Sequence, residues 1–388
     1  MSSNEQPTKI MALISQNNNN SEVFRLIGFG ACGAIYAQDG SPVVFKLTKT
    51  IDDQLWNDYT MHTRVWEAFK RTPEIALETT IPEPGGFVPR DHEGGGDQWW
   101  TTSCGQQLTT AVGNNLNMPT RALWSERIFP LPLPLRSGLT GAFCAPQLQQ
   151  NAFTSPGNAD CLVRIYLGSR NGRSGLSFFS LRNFKLHLNQ LEDLGQDTYI
   201  MQFAGYMANA LAVMHWRARV DARNVEFVLG NARPRAHLVR TTPPELAKEL
   251  EKLPANSLVQ PHPEATVLSG EQRQRMDDPT SLGFWLLDFN QCGDMAMNSQ
   301  GVKRAVDAFW VNDPYYPRPP RRGHDQTEDE AARRNPHFAA DNALWCIFSA
   351  QYLRMSRNIL VELGKPEWEQ LPVEFVTGVE HRAGESWR

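Results

Sequence analysis

The chain has 388 residues, 41% of them apolar and 10% aromatic, with eleven tryptophans and a formal net charge of −4. That length and apolar fraction supply a large core, most simply divided into two lobes, and exclude a disordered or fibrous chain. The charge is too mild to argue for or against a polyanionic partner, so local clusters must decide. Six cysteines (Cys32, Cys104, Cys144, Cys161, Cys292, Cys346) show neither CxxC nor Cys/His spacing. This pattern argues against a structural zinc site and a disulfide framework, and for a reducing compartment. No signal-peptide-like run opens the chain, and no stretch approaches about 18 uninterrupted apolar residues. The sequence therefore reads as a cytoplasmic protein with no membrane segment.

Residues 1–20, ending in an asparagine run, read as a flexible leader. From Val23 to Leu47 the pattern is strand, glycine turn, strand, strand, with Asp39-Gly40 as a hairpin signal. Gly28, Gly30 and Gly33 fit GxGxxG, and Lys46 follows on the third strand. Backbone N–H groups of such a loop can approach an anion while the lysine adds a point charge, although a plain glycine hairpin has the same spelling. DDQLWNDYTMHTRVWEAFK predicts a helix with Leu55, Tyr59, His62, Trp66 and Phe69 on one face, from which Asp58 or Glu67 can reach Lys46. His62 reads as a packed or surface histidine.

The Gly/Pro-rich stretch 71–120 predicts loops, and the Pro–Leu alternation of RIFPLPLPLR predicts extended backbone. CLVRIYLG (161–168) reads as a buried strand, and LRNFKLHLNQLEDL then starts a helical lobe that continues through YIMQFAGYMANALAVMH. A turn after this helix packs Asp221, Asn224 and Glu226 beside Arg217, Arg219 and Arg223, ahead of an alternating strand through Val225, Phe227 and Leu229. Residues two apart on a strand share a face, so Asn224 and Glu226 point the same way; the same residues also suit a solvated turn. A polar, proline-studded insertion spans about 231–280. Then SLGFWLLDFNQC delivers Asp288 at the end of an apolar strand, as a functional carboxylate or as a turn-capping one. VKRAVDAFW predicts a short helix, 340–363 the last large helix, and the residues after about 375 a tail. The sum is an α+β chain: an N-lobe over 21–168, with a glycine-loop sheet, a helix and long loop insertions, and a mainly helical C-lobe over 169–388.

Gly28/Gly30/Gly33, Lys46, the acidic helix after it, Asn224 and Asp288-Phe289-Asn290 resemble, in order and over about residues 22–375, the protein-kinase and aminoglycoside-phosphotransferase fold. The resemblance implies a two-lobed fold in which Lys46 pairs with phosphates, Asp58 is its partner, and Asn224 and Asp288 hold magnesium. The catalytic loop is degenerate. Five residues before Asn224, where that fold carries its catalytic aspartate, stands Arg219; Asp221 lies only three before it, and Asn290 replaces a glycine. An arginine stays charged and accepts no hydroxyl proton.

MHW followed by DARNVEFVLG, then WLLDFNQC, then FWVNDPYYPRP, is similar to a fungal domain family of kinase-like shape, often labelled zinc finger protein without visible zinc ligands. The family is identified here with arginine-containing cyclodipeptide synthases. That resemblance implies a tRNA-dependent enzyme joining arginyl-tRNA and a second aminoacyl-tRNA into cyclo-Arg-X, with no cofactor, no metal, no membrane and no obligate protein partner. Its catalytic carboxylates would be Asp221 as general base, with Glu226 and Asp288 binding guanidinium or amine; Asn224, Lys46, Asp58 and Asn290 would line the substrate. Arg217, Arg219, Arg223, Arg318, Arg321 and Arg322 would meet tRNA phosphates. Two alternatives remain: a small-molecule phosphotransferase using ATP and magnesium, with Asp221 as a displaced base, and a non-catalytic pseudokinase that binds a partner.

Overall fold

The computed structural model describes residues 23–30, 33–49, 54–75, 78–90, 96–175, 178–232, 282–320, 330 and 333–385. The expected leader, nearly all of the 231–280 insertion, Arg321 and Arg322 lie outside them. The described residues form a mixed α/β structure with two sheets.

Strands β1 (Phe24–Phe29), β2 (Gly33–Gln38), β3 (Val43–Thr48), β4 (Pro84–Val88) and β5 (Ala122–Glu126) make an antiparallel sheet in the order β1-β2-β3-β5-β4. Gly33 has a steric reason to be glycine: a Cβ there would stand 2.9 Å from the Leu47 carbonyl oxygen on β3. Helix α1 (Gln54–Lys70) connects β3 to β4, and its predicted apolar face is buried. Leu55 and Tyr59 pack on Phe87 of β4 and Leu123 of β5, which fixes the helix against the sheet. The opposite face of this sheet packs Phe45 and Trp124 against Trp100 and Leu108.

Those last two residues correct the expectation of loops over 71–120. The stretch contains β4 and two helices, α2 (Gly96–Trp100) and α3 (Ser103–Val112). Gly85 serves packing rather than a turn: a Cβ there would enter the Trp124 ring, 2.0 Å from its nearest atom. RIFPLPLPLR is extended only to Pro132; helix α4 (Leu133–Phe143) starts there, with Pro134 in the first turn, where its missing N–H costs nothing.

After α5 (Gln149–Thr154), strands β6 (Val163–Tyr166), β7 (Lys185–His187), β8 (Glu226–Asn231) and β9 (Leu282–Leu287) form the second sheet, in the order β7-β6-β8-β9. Residues 185–187, expected to be helical, pair parallel to β6 instead, and helix begins only with α6 (Leu188–Asp193). The alternation expected after Val225 is lost because β8 is buried on both faces from Phe227 to Asn231. Helices α7 (Asp197–Ala212), α8 (Ser299–Val311), α9 (Phe338–Glu362) and α10 (Leu371–Glu385) complete the larger core. The last of these replaces the expected tail. Leu371, Phe375, Val379 and Ala383 recur at the 4-residue helical spacing, and all four are buried.

Candidate functional site

Lys46 is the meeting point of the two sheets. Its Nζ donates to Asp58 Oδ2 of α1 at 2.6 Å and to Asp288 Oδ1, just past β9, at 2.8 Å. The other oxygen of Asp58 accepts the Phe289 backbone N–H at 3.0 Å, so one helical carboxylate holds both the lysine and the chain after β9. Asn57, its neighbour, donates to the carbonyl oxygens of Asn290 (3.0 Å) and Cys292 (2.9 Å). Burial alone would lower the Lys46 pKa; the charges of Asp288 and Asp58 outweigh it and hold the ammonium well above the usual lysine value. Glu67, the alternative partner, instead faces Lys70 at 3.4 Å. His62 is a packed histidine, its Nε2 against the Pro82 carbonyl oxygen at 2.7 Å.

Glu226 opens β8 and pairs in register with Leu287, the residue before Asp288, which brings the two carboxylates to one end of the sheet. Its Oε1 is 2.5 Å from a guanidinium nitrogen of Arg164 on β6, a pairing with no signature in the sequence. The register explains the contact: Arg164 stands opposite Val228, two residues from Glu226 on the same face. The second terminal nitrogen of Arg164 faces Asp313 at 3.7 Å, and the Tyr166 hydroxyl donates to Asp313 as well. Burial, opposed by Arg164 and reinforced by Asp288, pushes the Glu226 carboxyl up to about 7.

Asp221 is differently placed. It is 5% exposed, and its Oδ1 accepts backbone N–H groups of Gly293 (2.8 Å) and Arg223 (3.1 Å), while Oδ2 lies 3.8 Å from Arg304. Burial raises its pKa against those hydrogen bonds. This is the geometry of a group that holds two loops together. The Asn224 backbone N–H donates to Asn312 Oδ1 at 2.6 Å and its side-chain amide to Asn290 Oδ1 at 3.3 Å, leaving the Asn290 amide nitrogen buried without a partner. Among the described residues, five non-glycine residues have left-handed backbone, and four of them are here: Arg219 (φ 55°), Ala222 (56°), Asn224 (64°) and Asp288 (64°). Such conformations cost roughly 1–2 kcal/mol per residue and concentrate where geometry serves function. The helix preceding them ends in a π-helical turn, Val213–Arg217, which buries His215 and Trp216 completely.

The arginines divide. Arg217 binds Glu362 with a side chain only 6% exposed, and Arg318 donates to the Asn312 carbonyl oxygen and lies over Trp310 at 4.9 Å. Both are committed to the protein itself. Arg219, stacked on Trp368 at 5.1 Å, and Arg223 are exposed beside Asp221. The structure thus brings Lys46, Asp58, Asp288 and Glu226 into one polar cluster and joins Asp221, Asn224 and Asn290 in the adjacent loops.

Residues 284–363, about a fifth of the chain, match a family model described as zinc finger protein (DUF3669). No curated protein matches the chain. The matched segment includes Asp288, Asn312, Asp313 and α8. Of its two cysteines, Cys346 is exposed and Cys292 is buried, its thiol pushed well above the ordinary value by burial and by Asp221. Among the described residues no group of three or more His, Cys, Asp or Glu side chains could hold a metal ion. Nor, among them, is any helix long and apolar enough to cross a membrane.

Proposed function

We propose that the chain is a tRNA-dependent synthase of an arginine-containing cyclic dipeptide, built on a two-lobed scaffold of protein-kinase type. The scaffold reading is supported by the sheet order β1-β2-β3-β5-β4 with a helix between β3 and β4, and by the Lys46–Asp58–Asp288 cluster. The label of the matched model agrees with the resemblance drawn from the sequence. The observation that carries the choice of chemistry is the contrast between Asp221, tied to two backbone N–H groups, and Glu226, whose Oε2 has no partner among the described residues and whose carboxyl feels the charge of Asp288.

Two aminoacyl esters need no ATP. The α-amine of one attacks the ester carbon of the other, a C–N bond forms, the C–O bond to the tRNA ribose breaks, and the released ribose oxygen takes a proton. The dipeptidyl amine then attacks the remaining ester in the same way and frees the second tRNA. The geometry suits Glu226 as the base that accepts the amine proton and returns it to the leaving oxygen, with Asp288 holding the cationic end of the arginyl group. Asp221 then acts by fixing the loop, and the base role that the sequence suggested for it passes to Glu226. Mass spectrometry of a heterologous host tests the reading: a cyclic Arg-X mass with the parent, absent with Glu226→Gln, is expected. No such mass from soluble, folded parent protein sinks it.

The Lys46–Asp58 pair also supports a second reading, an ATP-dependent phosphotransferase. There the Asn224 amide oxygen and Asp288, both hard oxygen donors, would hold magnesium, which would shield the phosphate charge. A magnesium-dependent thermal shift with ATP, lost in Lys46→Ala, would favour it.

A further inference from the structure

We propose that Arg164 and Asp313 are positioning residues for Glu226, which together set the direction of its free carboxylate oxygen. The inference rests on the reading of Glu226 as the reacting base. Arg164 uses its two terminal nitrogens on two carboxylates, Glu226 at 2.5 Å and Asp313 at 3.7 Å, so the guanidinium plane spans β8 and the loop after α8. The Asp313 charge attracts the guanidinium from its far side at ion-pair distance, while the 2.5 Å contact sets which oxygen of Glu226 faces it, so the orientation of the guanidinium bears on that of the carboxylate. Tyr166, two residues along β6 from Arg164, donates its hydroxyl to Asp313 and holds the far end. The chain of contacts runs Tyr166, Asp313, Arg164, Glu226, and it occupies Oε1 of Glu226, leaving Oε2 for a substrate proton. Its outer member is half exposed: the Asp313 side chain retains 47% of its surface, against 19% for Arg164 and 16% for Glu226. Asp313 can therefore be changed without opening the core.

Asp313→Asn keeps the shape and removes the charge that holds the outer side of Arg164. The expected result is a fall in kcat of about tenfold with KM within about twofold, and recovery to within about threefold of the parent in Asp313→Glu. A purely structural role would instead lower thermal stability and give no recovery. Crystal structures of the parent and of Asp313→Asn supply a readout that needs no turnover. The Arg164 guanidinium should rotate and the Glu226 carboxylate shift by about 1 Å or more. An unmoved Glu226 in the variant, or an unchanged kcat in an active enzyme, overturns the proposal. If the parent makes no cyclic dipeptide while Glu226 does move, the synthase reading falls and the positioning of Glu226 stands.

Discussion

Two clusters of similar make-up meet at the end of the second sheet, and each places one cation between two carboxylates. Asp58–Lys46–Asp288 joins residues 12 and 242 positions apart in the chain and stitches one sheet to the other. Glu226–Arg164–Asp313 lies within the second sheet and the loop beside it. The lysine is a point charge whose two hydrogen bonds fix a distance between sheets. The arginine is a rigid fork that fixes an orientation within one of them. The first cluster should therefore govern stability, and the second the orientation of Glu226.

The sharpest way to break this comparison is Lys46→Met. It leaves Asp58, 4% exposed at its side chain, facing Asp288 without a cation. Removing one partner of a buried pair costs about 3–5 kcal/mol, which urea denaturation would read directly. A loss below about 1 kcal/mol would show that the lysine does not hold the sheets together.

The second test concerns pH. The folded-state pKa of Glu226 lies above its ordinary value, at about 7, so folding favours its protonated form. The contribution is fully present below about pH 4.5 and is lost as pH rises to about 7, by as much as about 3 kcal/mol. Melting temperature followed from pH 5 to 8 should fall for the parent relative to Glu226→Gln. His215 works in the other direction: burial lowers its pKa to about 3, so its contribution is lost as pH falls below about 6.5. Both proteins keep His215, and the difference between them cancels it. Parallel curves would remove the argument that Glu226 is strained by burial.

Asn57→Ala deletes two hydrogen bonds to the backbone after Asp288 while leaving both ionic clusters whole. About 2 kcal/mol should be lost, with faster amide exchange at Phe289 and Cys292. Protection unchanged at those amides would mean that Asp58, Asp221, Asn224 and Arg64 hold the loop without Asn57. The smallest effect belongs to an arginine outside both clusters. Arg219→Ala forfeits stacking on Trp368 and should cost at most about 1 kcal/mol in a thermal melt. A larger loss would make that arginine a structural member of the loop.

The elements readable in the sequence were those whose signal is local. The glycine hairpin, the amphipathic face of α1, and Asp288 at the end of an apolar run each sit within one element, and the Lys46–Asp58 contact followed from placing a helix after β3. Glycine misled where it admits a neighbour's side chain, as at Gly85 beneath Trp124, because a strand and a loop spell that need alike. The grip of Arg164 on Glu226 was invisible because it depends on β6 and β8 being adjacent, across 62 residues that include two helices. Arg217 and Arg318 read as surface charge because nothing near them in sequence announces Glu362 or the Asn312 carbonyl oxygen.

The seam between α1 and residues 288–294 has a kinetic consequence. Asn57, Asp58 and Arg64 bind Asn290, Phe289 and Asp294 at sequence separations of 230 to 233, so the seam closes only after both sheets exist. Contacts of such separation form late in folding and carry little of its nucleus. Weakening them should speed unfolding more than it slows folding. The cluster around Lys46 is in that sense a completion signal, present only in chains that have finished folding and the first thing a partly opened chain gives up.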